Sequence, residues 1–158
     1  MKSKKIELGD VFSIETNNGI GYLQYVESPK GDDVELIRVF YNLHKNTEIL
    51  NVDLETAGGY FFIRFPLKAA LRKKIIRFVE HIDLPENFQP PIFFRTINPF
   101  GDGWQIVNSE TLKRETVRHL TDEHKKLSPW GGMNETLIKE LLEKGWRLEN
   151  WTADNIFA

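Results

Sequence analysis

The chain has 158 residues, of which 41% are apolar and 12% aromatic; this is the composition of a folded domain and excludes a disordered chain. A formal net charge of −2 gives no bulk attraction to nucleic acid or to a membrane surface. Cysteine is absent, so disulfides, zinc–thiolate sites and thiol catalysis are excluded. This length predicts a single domain over residues 1–158, able to bury a core without metal or disulfide support. The opening MKSKKIELGD is basic with no apolar run behind it, so no secretory signal is expected. No stretch approaches the length of a membrane span. A cytoplasmic location is the expectation.

The first element is a hairpin in GDVFSIETNNGIGYLQYV, residues 9–26. With Asn18-Gly19 as its turn, Phe12 and Ile14 share a buried face with Leu23 and Tyr25. Ser13, Glu15, Tyr22 and Gln24 lie on a mostly polar, half-exposed face; a three-residue loop from Asn17 would shift the register. A third strand follows SPKGDD and runs from Asp33 to about Asn42, with apolar groups on both faces, as in a central strand. Residues 42–58 read as irregular and polar, and GGYFFIRFP as a fourth strand ending at Pro66. These strands form a meander that either stays open or curls into a small barrel-like sheet.

Leu67, Leu71, Ile75, Phe78, Val79 and Ile82 fit one helical stripe. Residues 75–82 are also rich in β-branched and aromatic side chains, so a short helix from Leu67 giving way to a strand near Ile75 is expected. Pro85, Pro90 and Pro91 mark loop, IFFRTI and WQIVNS two more strands, and residues 110–128 carry charge without clear pattern. The last helix lies in MNETLIKELLEKGW. Asn134 is its N-cap, Met133 and Ile138 form a hydrophobic staple, and Gly145 takes the left-handed C-terminal position. The fold class is therefore α+β, mostly antiparallel sheet with a short middle helix and a C-terminal helix.

No catalytic motif is present: no phosphate-binding glycine loop, no G-x-S-x-G, no H-E-x-x-H. His119 and His124 are five residues apart and face different ways on a helix, so no metal site, cofactor or catalytic residue is expected. Lys68, Arg72, Lys73, Lys74 and Arg77 form a basic cluster whose ordinary reading is a solvated helix face. Trp146 and Trp151 are expected to pack around the last helix, whereas Trp130, in a Gly-flanked loop, is the best candidate for an exposed anchor.

The residues I-x-L-GDVF-x-I-x-T-x-x-G-x-GYLQYV, then LIRVF, FFIRFPLKAA and LSPWGGMNETLIKELLEKGW, resemble the bacterial family called immunity protein 26 over Ile6 to about Trp151. The resemblance implies a non-enzymatic protein of a polymorphic toxin system that binds a toxin encoded beside it and occludes it. A nuclease toxin would present a basic groove, complementary to an acidic, aromatic surface. Tyr22, Asp32, Asp33, Glu35, Trp104 and Trp130 are the residues expected to build that surface. The alternative is a small-barrel nucleic-acid or ligand-binding module that uses the basic cluster. An enzyme ranks third.

Overall fold

The computed structural model describes residues 5–45 and 58–152. Of the irregular segment expected at 42–58, residues 46–57 lie outside them. Among the described residues there are eight strands: β1 (Asp10–Thr16), β2 (Gly19–Glu27), β3 (Leu36–Phe40), β4 (Tyr60–Arg64), β5 (Ile76–His81), β6 (Phe93–Ile97), β7 (Trp104–Asn108) and β8 (Arg114–Val117). Helix α1 (Leu67–Arg72) stands between β4 and β5, and α2 (Glu135–Lys144) follows β8. A five-stranded antiparallel sheet has the order β4-β3-β2-β1-β5, and a three-stranded one the order β6-β7-β8. The fold is α+β, and neither sheet closes into a barrel.

The hairpin has the expected faces but a different turn. Thr16 pairs with Gly19 and Phe12 with Leu23, so the two-residue loop is Asn17-Asn18. Gly19 alone takes positive φ there, at 138°. The observed register differs from the expected one by an even number of residues. The side-chain period is two, so every residue keeps its face. Phe12, Ile14, Leu23 and Tyr25 enter the main core with Ile138, Leu141 and Leu142 of α2.

The opposite face is mostly buried rather than half-exposed, with Glu15 exposed near the turn. Val11, Tyr22 and Phe40 form a second buried cluster, and Gln24 and Arg38 are buried with them. Their polar groups are satisfied internally. Gln24 donates to the carbonyls of Gly9 (3.0 Å) and Ile82 (2.8 Å) and accepts from Arg38 Nε (2.8 Å). The Arg38 guanidinium lies 4.8 Å from the Tyr60 ring centre. A polar pattern thus hides a buried network, because each donor meets an acceptor or a π face.

Residues 75–82 resolve as helix end and strand. Helix α1 stops at Arg72, and the amides of Lys74 and Ile75 turn back to the carbonyls of Leu71 (3.1 Å) and Ala70 (2.9 Å). That is the Schellman closure, with Lys74 at φ 63° where glycine is usual. Helix α2 ends the same way: Gly145 (φ 69°) donates to Leu142 (3.2 Å) and Trp146 to Leu141 (3.0 Å). Its start is as expected, with Leu137 N–H donating to Asn134 Oδ1 at 2.9 Å.

Residues 128–133, SPWGGM, join the two sheets. On one side Arg95 of β6 donates to Ser128 (3.0 Å) and accepts from Trp130 (2.8 Å) through backbone bonds. On the other side Arg64 of β4 donates to Gly131 (3.3 Å) and accepts from Met133 (3.0 Å). Ser128 Oγ also accepts from Phe62 N–H at 2.9 Å. Gly131 makes the corner at φ 114°, and a Cβ on Gly132 would stand 3.2 Å from the Arg64 carbonyl oxygen.

Candidate functional site

The six residues expected to form one acidic, aromatic surface do not do so. Tyr22 is buried at 1% exposure, with its ring 5.3 Å from that of His44, and burial pushes its phenol pKa up. Glu35 is buried because its carboxylate accepts the Lys68 N–H (3.1 Å) at the start of α1, where Pro66 gives no side-chain cap. Trp104 sits in the core, edge-on to Trp151 at 5.0 Å. These three expectations are corrected: the alternation that put Tyr22 and Glu35 outward ignored what covers the second face and the helix end.

Asp32 and Asp33 remain exposed. Asp33 accepts from Val34 N–H (2.9 Å) and lies 3.8 Å from Arg64 Nε, whose guanidinium also donates to Glu27 at 2.8 Å. Trp130 is half-buried in the seam and packs on Phe94 with ring centres 5.7 Å apart. It is a splice between sheets rather than a free anchor. Beside it a notch of about 160 Å³ is lined by Ile63, Ile97, Trp130, Met133, Leu137 and Trp151.

The exposed apolar groups lie elsewhere, mainly on the three-stranded sheet. Ile92 (42%), Phe93 (48%) and Leu112 (64%) gather at one end of it. The backbone ties them together: Phe93 pairs with Asn108, Ser109 N–H donates to Ile92 (2.8 Å), and Leu112 N–H donates to Asn108 (2.7 Å). Asn108 Oδ1 fixes the turn by accepting from Glu110 (2.9 Å) and Thr111 (3.1 Å). Leu112 holds φ at 63°, a left-handed conformation that a leucine adopts only at a cost of about 1–2 kcal/mol. At the opposite end, Phe100 is 89% exposed on the β6–β7 tip. That tip is ordered by Asn98, which accepts from Phe100 N–H (3.1 Å) and donates to Asp102 (3.0 Å). Two shaped tips carrying bare apolar side chains can supply contact area to a protein partner at little ordering cost. Sequence reading passed over Leu112 because nothing in ETLKRE separates an apolar turn residue from a core one.

A polar cluster forms where residues 7–10 meet the end of β5. His81 Nδ1 lies 2.8 Å from Asp10 Oδ1, and Nε2 lies 2.7 Å from Asp83 Oδ1. Hydrogen bonds to Asp10 and then Asp83 push the His81 pKa up. Asp10 is wholly buried, and its other oxygen accepts from Glu7 N–H at 3.0 Å. The Glu7 carboxylate joins Asp10 and His81 in a set whose donor atoms all lie within 4.8 Å. Residues 74 positions apart give no sequence spacing to recognise.

Among known proteins, no family model, no curated protein and no solved structure matches this chain. No helix among the described residues is long and apolar enough to cross a membrane.

Proposed function

We propose that this chain is an immunity protein that neutralises a cognate toxin by stoichiometric binding. The observation that carries the reading is the apolar end of the three-stranded sheet, where Leu112 is held exposed in a strained turn beside Ile92 and Phe93. A solvent-exposed leucine gains nothing for folding from left-handed backbone. Asparagine or glycine would fit that position with less strain. Retention of an apolar group there is what a docking surface needs. The resemblance of the sequence to the immunity family supplies the class of partner. The contact is apolar at Ile92, Phe93 and Leu112, and polar around them at Glu110, Lys113 and Arg114.

The test is Leu112→Asn. Its folding free energy should stay level or rise by about 0.5–1 kcal/mol as backbone strain is relieved. Its affinity for the toxin domain encoded beside it should fall tenfold or more, about 1.4 kcal/mol. Growth rescue on co-expression should fall with it. Unchanged affinity in both Leu112→Asn and Phe93→Ser removes this surface from the proposal. Protection at far below one protein per toxin, with the toxin chemically altered, overturns the binding mechanism. Salt-sensitive RNA or DNA binding that is lost on substituting Lys73, Lys74 and Arg77 favours the nucleic-acid module instead.

A further inference from the structure

The cluster at Glu7, Asp10, His81 and Asp83 is separate from the apolar surface and has its own charge problem. Both ring nitrogens of His81 face carboxylate oxygens, at 2.8 and 2.7 Å. A neutral imidazole has one N–H and one lone pair. It can donate to one carboxylate, and the other contact then sets a lone pair against an anion. A cation on that nitrogen, a proton or a metal ion, resolves the contact.

The two sides of the ring are not equivalent. Nε2 meets one carboxylate, the exposed Asp83. Nδ1 meets the buried Asp10 oxygen at 2.8 Å, and one ring nitrogen, one Asp10 oxygen and one Glu7 carboxylate oxygen all lie within 4.8 Å of one another. Oxygen and nitrogen donors lie about 2.0–2.2 Å from a first-row divalent ion, so two of them on one ion stand up to about 4.4 Å apart. A small rotation of the exposed Glu7 side chain closes the set to that size. The backbone is built for the approach. Gly9, at φ 100°, lies so close to β5 that a Cβ there would stand 2.6 Å from the Ile82 carbonyl oxygen and 3.0 Å from His81 Cε1. The bonds Ile82 N–H to Gly9 (3.1 Å) and Gln24 Nε2 to Gly9 (3.0 Å) hold it there.

We propose that Glu7, Asp10 and His81 Nδ1 bind a divalent first-row metal ion such as Mn²⁺ or Zn²⁺, with Asp83 accepting the His81 Nε2–H as the outer partner. A carboxylate behind a ligating histidine fixes its tautomer and raises its basicity, and Asp83 stands where that partner belongs. The donor set is hard and borderline, without sulfur, which suits manganese or zinc. Water completes the coordination. The ion fastens the turn at residues 7–10 to the end of β5.

Titration calorimetry of the full chain with MnCl₂ and with ZnCl₂ tests this. One ion per chain is expected. Glu7→Gln should weaken binding at least tenfold, and it leaves the fold in place because the side chain is exposed. Asp83→Asn should weaken it by about tenfold. In ¹⁵N spectra with Zn²⁺, His81 should keep the proton on Nε2 and lose the one on Nδ1. Three results overturn the site: no saturable binding at millimolar metal, wild-type binding in both Glu7→Gln and His81→Gln, or a His81 ring that stays doubly protonated with metal present.

Discussion

Arg95 is the residue on which most of the second sheet depends. It is fully buried, yet no carboxylate pairs with it among the described residues. Its guanidinium donates instead to three carbonyls, those of Leu127 (3.0 Å), Lys125 (3.1 Å) and Leu148 (2.7 Å). It also lies 4.5 Å from the ring centre of Trp151 and 5.1 Å from that of Trp104. Burial lowers its pKa to about 10, so the cation remains charged at neutral pH. Its Nη1 has no hydrogen-bond partner among the described residues. Arg95→Met should therefore leave the Leu127 and Lys125 carbonyls without donors and Leu148 with only the Trp151 N–H, at a cost of about 2 kcal/mol or more. Arg95→Lys should restore little, since one ammonium cannot span carbonyls on two separate segments. An unfolding free energy from urea titration that falls by under 1 kcal/mol in either variant would show that water replaces the guanidinium. None of this was legible in FFRTI, where an arginine in a strand reads as a surface group.

At the scale of elements, the two helix ends offer a matched pair of experiments. Lys74 and Gly145 occupy the same left-handed position in the same closure, at φ 63° and 69°. One has a side chain and the other does not, so the cost of a Cβ can be read in both directions. Lys74→Gly should stabilise the protein by about 0.5–1 kcal/mol, and Gly145→Val should destabilise it by about 1–2 kcal/mol. Open space surrounds Gly145, so the second effect is backbone strain and not a clash. Thermal melts of the two variants should move in opposite directions, and a shift of the same sign in both would remove the shared explanation. Helix α2 was fully legible in the sequence because cap, staple, stripe and terminal glycine all agree over one short stretch. The faces of β1 and β2 were legible too, since an even change of register leaves alternation intact. Strand β8 was not, because Arg114, Glu115 and Thr116 are exposed and carry no apolar alternation. The cluster of Glu7, Asp10 and His81 was invisible for a different reason: Asp10 and His81 meet only through the pairing of β1 with β5.

The whole molecule depends on six residues, Ser128 to Met133, in the segment between β8 and α2. Ser128 to Met133 bonds β6 along one side and β4 along the other, so the two sheets share a strip of backbone. The main core also crosses this line, since Trp104 of β7 and Trp151 pack with Phe61 of β4 and Trp146. Sheets joined by backbone bonds and by one apolar core should unfold as one unit. Ser128→Ala removes one side-chain link of the seam and leaves its backbone bonds in place. It removes the acceptor of the Phe62 N–H, a part-buried donor on β4, while leaving the Ser128 carbonyl bonded to β6. The expected loss is about 1–2 kcal/mol, the cost of stranding one such donor. Hydrogen exchange of β1–β5 amides reports the large sheet, and tryptophan fluorescence reports the small sheet and the seam. In the wild type both probes should trace one transition in urea, and in Ser128→Ala both should shift by the same amount. If the exchange-derived stability of the large sheet stays fixed while the fluorescence transition moves, the sheets are independent units and the seam is only a connection.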